Sequence, residues 1–156
     1  MSFLALCSLA VGRYGQQNEA RLLFSEIDGA TGKEGFEQIK NQKQLRDVIK
    51  SNYPYKTPGG KDDYLEKSIP DFPKNAKVFL YRFPQQRSGS LKVEKITNAY
   101  VQDETLYIGV SRKRSEGQMQ MQVISNPWMV FSVPEKYNFH KIIVTSVVTK
   151  DGKNNK

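Results

Sequence analysis

The sequence predicts an α+β, β-rich fold: a mainly antiparallel sheet or sandwich of about six to eight strands with one short helix at about residues 42–52. Three observations carry that expectation. Only one stretch repeats its apolar residues with helical spacing, the repeat switches to every second residue from Ala76 onward, and the later segments are joined by short turn-like sequences that favour antiparallel neighbours.

Taken in order, the chain starts with an apolar run, Phe3-Leu4-Ala5-Leu6-Cys7-Ser8-Leu9-Ala10-Val11. No basic residue precedes it, and it is too short for a signal-peptide core or a membrane span. Leu6 is not the small residue that a lipoprotein processing site places before its cysteine, so Cys7 reads as a small buried hydrophobe on a first structural element. Asn41 is placed to cap a helix, and Gln44 stands where a capping box puts its second member. Leu45, Val48 and Ile49 follow at i, i+3 and i+4 with Tyr53 a turn later, which gives the helix from about Gln42 to Asn52. Its outer face, Lys43, Arg46, Asp47 and Lys50, is charged, and Pro54 ends it because the residue before proline avoids helical geometry. Tyr53 to Ser68 holds Pro54, Pro58, Gly59, Gly60, Asp62 and Asp63 without a period of either kind, so it is expected to be a long loop. Long loops in compact domains are commonly functional, and this one offers Tyr53, Tyr55 and Tyr64 as candidate contacts.

From Ala76 the strands begin. Val78 and Leu80 alternate with Phe79, Tyr81 and Phe83, so both faces are apolar and a central strand buried on each side is expected. Leu91 and Val93 oppose Lys92 and Glu94; Leu106, Ile108 and Val110 oppose Tyr107; Met119, Met121 and Val123 oppose Gln118, Gln120 and Gln122. Asp103-Glu104, Ser115-Glu116-Gly117 and Ser125-Asn126-Pro127 have turn chemistry. Two further strands are expected at Trp128–Val133 and Lys141–Val148. One domain over 1–149 with a flexible basic tail at 150–156 accounts for the whole length of 156 residues.

Composition excludes more than it identifies. One Cys and one His rule out an intramolecular disulfide and a four-ligand zinc site. The net charge of +8 is uneven: residues 1–78 hold 12 Lys/Arg against 10 Asp/Glu, residues 79–156 hold 12 against 6. A basic second half attracts nucleic acid, anionic surfaces or acidic partners without specifying any of them.

Catalytic chemistry is sparsely represented. Cys7 and His140 are the only thiol and imidazole, and nothing in their spacing pairs them; His140 reads as a packed or surface residue at a strand start. Asp62-Asp63 and Asp103-Glu104 sit in turn-like sequence, and Gly59-Gly60-Lys61 lacks the spacing and the hydroxyl of a phosphate loop. Arg112-Lys113-Arg114, with Tyr107 and Tyr100 on nearby strand positions, has the composition of a basic-aromatic patch for single-stranded nucleic acid, or of a charged strand end that needs no ligand. No enzyme, cofactor or metal is expected.

The order of elements from Phe36 onward resembles the PrcB C-terminal domain family, small β-rich domains named after an accessory subunit of a bacterial surface protease complex. The resemblance runs over about 36–134. It lies in Phe36-Glu37-Gln38-Ile39-Lys40-Asn41 before the helix, Ile69-Pro70-Asp71-Phe72-Pro73-Lys74 before the strand at Val78, Ser88-Gly89-Ser90-Leu91-Lys92-Val93, and Ser125-Asn126-Pro127-Trp128 through Pro134. Gly12-Arg13-Tyr14-Gly15 is similar to a leader before such domains, and where the family shows Gly-Gly-Tyr this chain has Gly89-Ser90-Leu91. The resemblance implies a non-enzymatic module that assists a protease or another envelope protein, in the cell envelope or periplasm, although no signal peptide is visible. The expected function is therefore protein interaction, with Tyr53, Tyr55, Tyr64, Trp128, Arg112, Lys113 and Arg114 as candidate partner-binding residues. Trp128 can serve the core or the contact. The alternative is binding of an anionic polymer, nucleic acid or polysaccharide, through the basic second half. No transmembrane segment is expected.

Overall fold

A computed structural model describes residues 19–55, 63–87, 91–114 and 124–149. In chain order these form β1 (Arg21–Glu26), β2 (Gly35–Ile39), α1 (Gln42–Asn52), α2 (Asp63–Ser68), β3 (Ala76–Arg82), β4 (Leu91–Gln102), β5 (Thr105–Arg114), β6 (Trp128–Pro134) and β7 (Lys141–Thr149). A four-stranded antiparallel sheet has the order β1-β6-β3-β2, and a three-stranded sheet has the order β4-β5-β7. The β-rich α+β class expected from the sequence is the observed one.

The alternation in β3 explains the layering. Val78 and Leu80 turn toward the helices, where they meet Ile39, Leu45, Ile49, Leu65, Trp128 and Val130. Phe79 turns the other way, to Phe131, Met129, Ile108, Val110 and Ile142 between the two sheets. The four-stranded sheet is thus the middle of three layers, and β3 and β6 inside it are apolar on both faces because each face has a layer to cover. Complete burial of Leu45 and Ile49 stabilises the α1 dock by about 1.5–3 kcal/mol per side chain. The cap forms as its residues suggest: Asn41 Oδ1 accepts from the Gln44 N–H at 2.9 Å, while Gln44 Oε1 accepts from the Lys40 N–H at 2.8 Å, one residue earlier than a standard capping box.

Five elements depart from the expectation, namely α2, β1, β2, the length of β4 and the direction of β7, whereas the turn at Asp103-Glu104 falls where it is expected. Residues 63–68 of the supposed loop are helical as α2, because Leu65 is buried against the α1 side of the sheet. Strands β1 and β2 were not expected: Leu22-Leu23-Phe24 is an unbroken apolar run, and a bulge between Leu22 and Phe24 removes the alternation that would betray it. The strand beginning at Leu91 continues to Gln102, hidden because two bulges, between Val93 and Lys95 and between Ile96 and Asn98, space its core residues Val93, Ile96 and Ala99 three apart. The chain then reverses through Asp103 and Glu104, both at positive φ (50° and 56°), as a two-residue hairpin of the primed type requires. Finally, β7 joins β5 in parallel, because the chain crosses to the other sheet as β6 before it returns. The expected strand at Met119–Val123, the turn at Ser115–Gly117, Cys7 and the tail at 150–156 lie outside the described residues.

Candidate binding groove

The two sheets meet where β1 lies beside β4. Ser25 Oγ donates to the Val93 carbonyl at 2.8 Å, and Lys92 Nζ lies 3.8 Å from Glu26 Oε1. Directly beside this joint opens a groove of about 880 Å³. Its floor is β1 from Leu22 to Ile27; one wall is Tyr53, Tyr55, Tyr64, Leu65 and Ser68 at the end of α1 and on α2; the other is Lys92, Val93, Glu94, Lys113 and Arg114 at the open end of the β4–β5 hairpin. The volume lies in the upper part of the range of about 300–1,000 Å³ seen for ligand pockets.

The tyrosine wall is set by the exit of α1. Asn52 is buried, and its Oδ1 accepts from the Thr31 N–H (2.8 Å) and hydroxyl (3.1 Å) while its Nδ2 donates to the Val48 carbonyl (2.8 Å). Gly29, at φ +99°, passes so close that a Cβ there would stand 2.1 Å from the Asn52 carbonyl oxygen. This clasp fixes where Tyr53 and Tyr55 leave the helix, and their rings meet edge-on at 5.6 Å. Tyr55 and Tyr64 remain 56% and 79% exposed. Glu66 on α2 receives Arg46 and Lys50 from α1, holding the short helix in place; the hydrogen bond from Lys50 draws its carboxyl below the usual range.

The basic wall has an internal tension. The hairpin register sets Lys92 directly across from Lys113, and like charges in opposed positions destabilise a strand pair. Glu26 answers part of this charge, yet burial raises its carboxyl above the usual value, against the opposing pull of Lys92 and the Ile27 N–H.

Five of the seven candidate residues named from the sequence, Tyr53, Tyr55, Tyr64, Lys113 and Arg114, converge on this groove. Two do not. Trp128 is 0% exposed: it stacks on Phe24 at 5.4 Å and donates its indole N–H to the Asp28 carbonyl at 3.0 Å, so it supports the groove floor from beneath and is not a contact residue. Arg112 is 3% exposed, because strand parity puts it in the stripe of Leu106, Ile108 and Val110 that faces the other sheet. Its guanidinium lies over the Phe83 ring at 4.4 Å and donates to the Leu91 carbonyl at 3.0 Å and, with the Gln86 amide oriented to match, to Gln86 Oε1 at 2.7 Å. Burial holds its pKa below the ordinary arginine value.

The expected patch of Arg112–Arg114 with Tyr100 and Tyr107 does not assemble. The two tyrosines stack on each other at 5.1 Å near the hairpin turn, five residues or about 17 Å along the strand from Arg112 and on the opposite face. His140 Nε2 lies 3.0 Å from Glu104 Oε2 on the surface. Among the described residues no group of three His, Cys, Asp or Glu side chains is placed to hold a metal, and no helix is long and apolar enough to cross a membrane. The sequence reading missed Phe24, Glu26 and Lys92 as groove residues; the only signal was the apolar run before Ser25, which does not announce that β1 will meet β4. No family model, curated protein or solved structure matches this chain.

Proposed function

We propose that this protein is a non-enzymatic protein-interaction module that receives an acidic, aromatic-bearing segment of a partner protein in the groove between β1, α2 and the β4–β5 hairpin. The observation that carries the reading is the convergence in one open groove of two exposed tyrosines and a wall holding Lys92, Lys113 and Arg114, built on a buried and tightly bonded base. Tyrosines offer large contact area at small entropic cost and are favoured binding anchors. A carboxylate on the partner segment complements the positive wall of the groove. The PrcB-like pattern in the sequence agrees with an accessory or stabilising role beside a protease or envelope complex.

The alternative ligand, an anionic polymer, draws on the same cations and tyrosines, as single-strand grooves do. Glu26 and Glu94 on the same surface oppose a continuous polyanion, and they favour a peptide of mixed character.

Short random peptides selected on the immobilised full chain at physiological salt test the proposal. Enriched peptides are expected to pair Asp or Glu with an aromatic residue, and Tyr64→Ala and Arg114→Ala are each expected to weaken them about tenfold, or about 1.4 kcal/mol. Selected peptides indifferent to both substitutions would remove the groove from the reading. Heparin or oligonucleotide binding with a steep salt dependence, lost in Arg114→Ala, would move the assignment to the polymer.

A further inference from the structure

Among the described residues four strands border the two sheets, and an edge strand presents unpaired N–H and C=O groups that proteins usually blunt by shortness, charge, proline or bulges. Three of the four are blunted. Strand β2 has five residues; β1 carries a bulge and lies against β4; β4 carries two bulges and the charges of Lys92, Glu94 and Lys95.

Beyond Lys141 at its start, strand β7 has none of these devices. Its nine residues run beside β5 without a register shift, from Thr105↔Lys141 to Lys113↔Thr149. After Lys141 it reads Ile-Ile-Val-Thr-Ser-Val-Val-Thr, without charge, Pro or Gly, and all but Ser146 are β-branched. Val147 and Val148 are 65% and 47% exposed, so both faces of its second half are open.

We propose that β7 is a self-pairing edge, at which two copies of the chain join antiparallel about a two-fold axis through Thr145 and merge their three-stranded sheets into one of six strands. An axis normal to the sheet returns each side chain to its own face, so opposed residues must share parity and the axis must pass through a residue. Thr145 is the middle of the nine, and only that register pairs them all. It sets Val147 against Ile143 on the outer face and Val148 against Ile142 on the inner face, covering the two exposed valines.

The ends are matched in charge. Lys141 falls opposite Thr149 of the second copy, whose hydroxyl lies 3.5 Å from Glu94 Oε2 of its own chain. Lys141 of each copy therefore comes within reach of Glu94 of the other, twice by symmetry. An unrelated extended peptide would satisfy the backbone groups but not this pair, and that selects a second copy as the occupant.

Analytical ultracentrifugation of the full chain over a concentration series tests the pairing, with Thr145→Lys and Thr145→Glu as probes. Thr145 is exposed and meets its own symmetry mate, so either charge opposes itself across the axis. Wild type is expected at twice the 17.9 kDa chain mass. Each variant is expected at the single-chain mass with unchanged far-ultraviolet dichroism, and an equimolar mixture of the two is expected to recover the dimer. Hydrogen exchange gives an independent reading, since β7 amides of wild type should gain protection as concentration rises. A wild-type chain that stays monomeric throughout, or variants that remain dimeric, overturns the proposal. A mixture that fails to re-associate overturns the register centred on Thr145.

Discussion

Among the described residues no carboxylate pairs with Arg112 in the layer between the sheets, and its replacement separates what its head does from what its stem does. The guanidinium donates to Leu91 and Gln86, bonds from a charged donor being typically about 1.5–3 kcal/mol each, and stacks on Phe83 for about 1–2 kcal/mol. Against these stands the desolvation of an unpaired charge, several kcal/mol after relaxation. Gln86 and Leu91 are only partly buried, so water can replace the lost donor. Head-group gain and cost nearly cancel, and Arg112→Met, which keeps the stem, is expected within about 1.5 kcal/mol of wild type. Arg112→Ala also removes about three methylene equivalents at about 0.8 kcal/mol each and leaves a cavity beside Phe83 and Val110. The alanine variant should therefore lie about 2–3 kcal/mol below the methionine variant. Urea titration followed by Trp128 fluorescence measures both, with unchanged m-values confirming that the native fold is shared. If the methionine variant proves as costly as alanine, the guanidinium bonds dominate and the argument from cancelling terms is wrong.

Three further outcomes are expected. Trp128 is the only tryptophan and fully buried, so its emission should be blue-shifted and resist iodide quenching until the chain unfolds; ready quenching in the native state would place it at the surface after all. Asn52→Ala should cost about 1–3 kcal/mol in chemical denaturation, because it removes the bonds by which the buried Asn52 amide ties Thr31 to the Val48 carbonyl. Gly29→Ala should be at least as costly, since its φ of +99° and the Asn52 carbonyl leave no room for a Cβ; a neutral effect of either change would dissolve the clasp. The raised carboxyl of Glu26 binds a proton more tightly when folded than unfolded, so its contribution to stability falls as pH rises from the ordinary glutamate value through the raised one. Glu26→Gln should therefore compare more favourably with wild type at neutral pH than at pH 4, and parallel stability profiles for the two proteins would contradict this.

Residue pattern alone determined the elements whose burial is regular. The α1 helix was legible to the residue because its cap and its Leu45–Ile49 face are local features, and β3 and β6 because a strand sandwiched between layers must be apolar on both sides. Bulges hid β1 and most of β4, since each extra residue shifts every later side chain to the other face and erases a period of two. The groove was half legible. Its tyrosines and its cations could each be named from composition, but they stood in segments some fifty residues apart, with nothing local to unite them. What united them was the contact of β1 with β4, a long-range packing of one sheet's edge against the other's. The same tertiary arrangement moved Trp128 beneath the floor and turned Arg112 inward, because whether a strand residue faces ligand or core depends on which layer finally covers it.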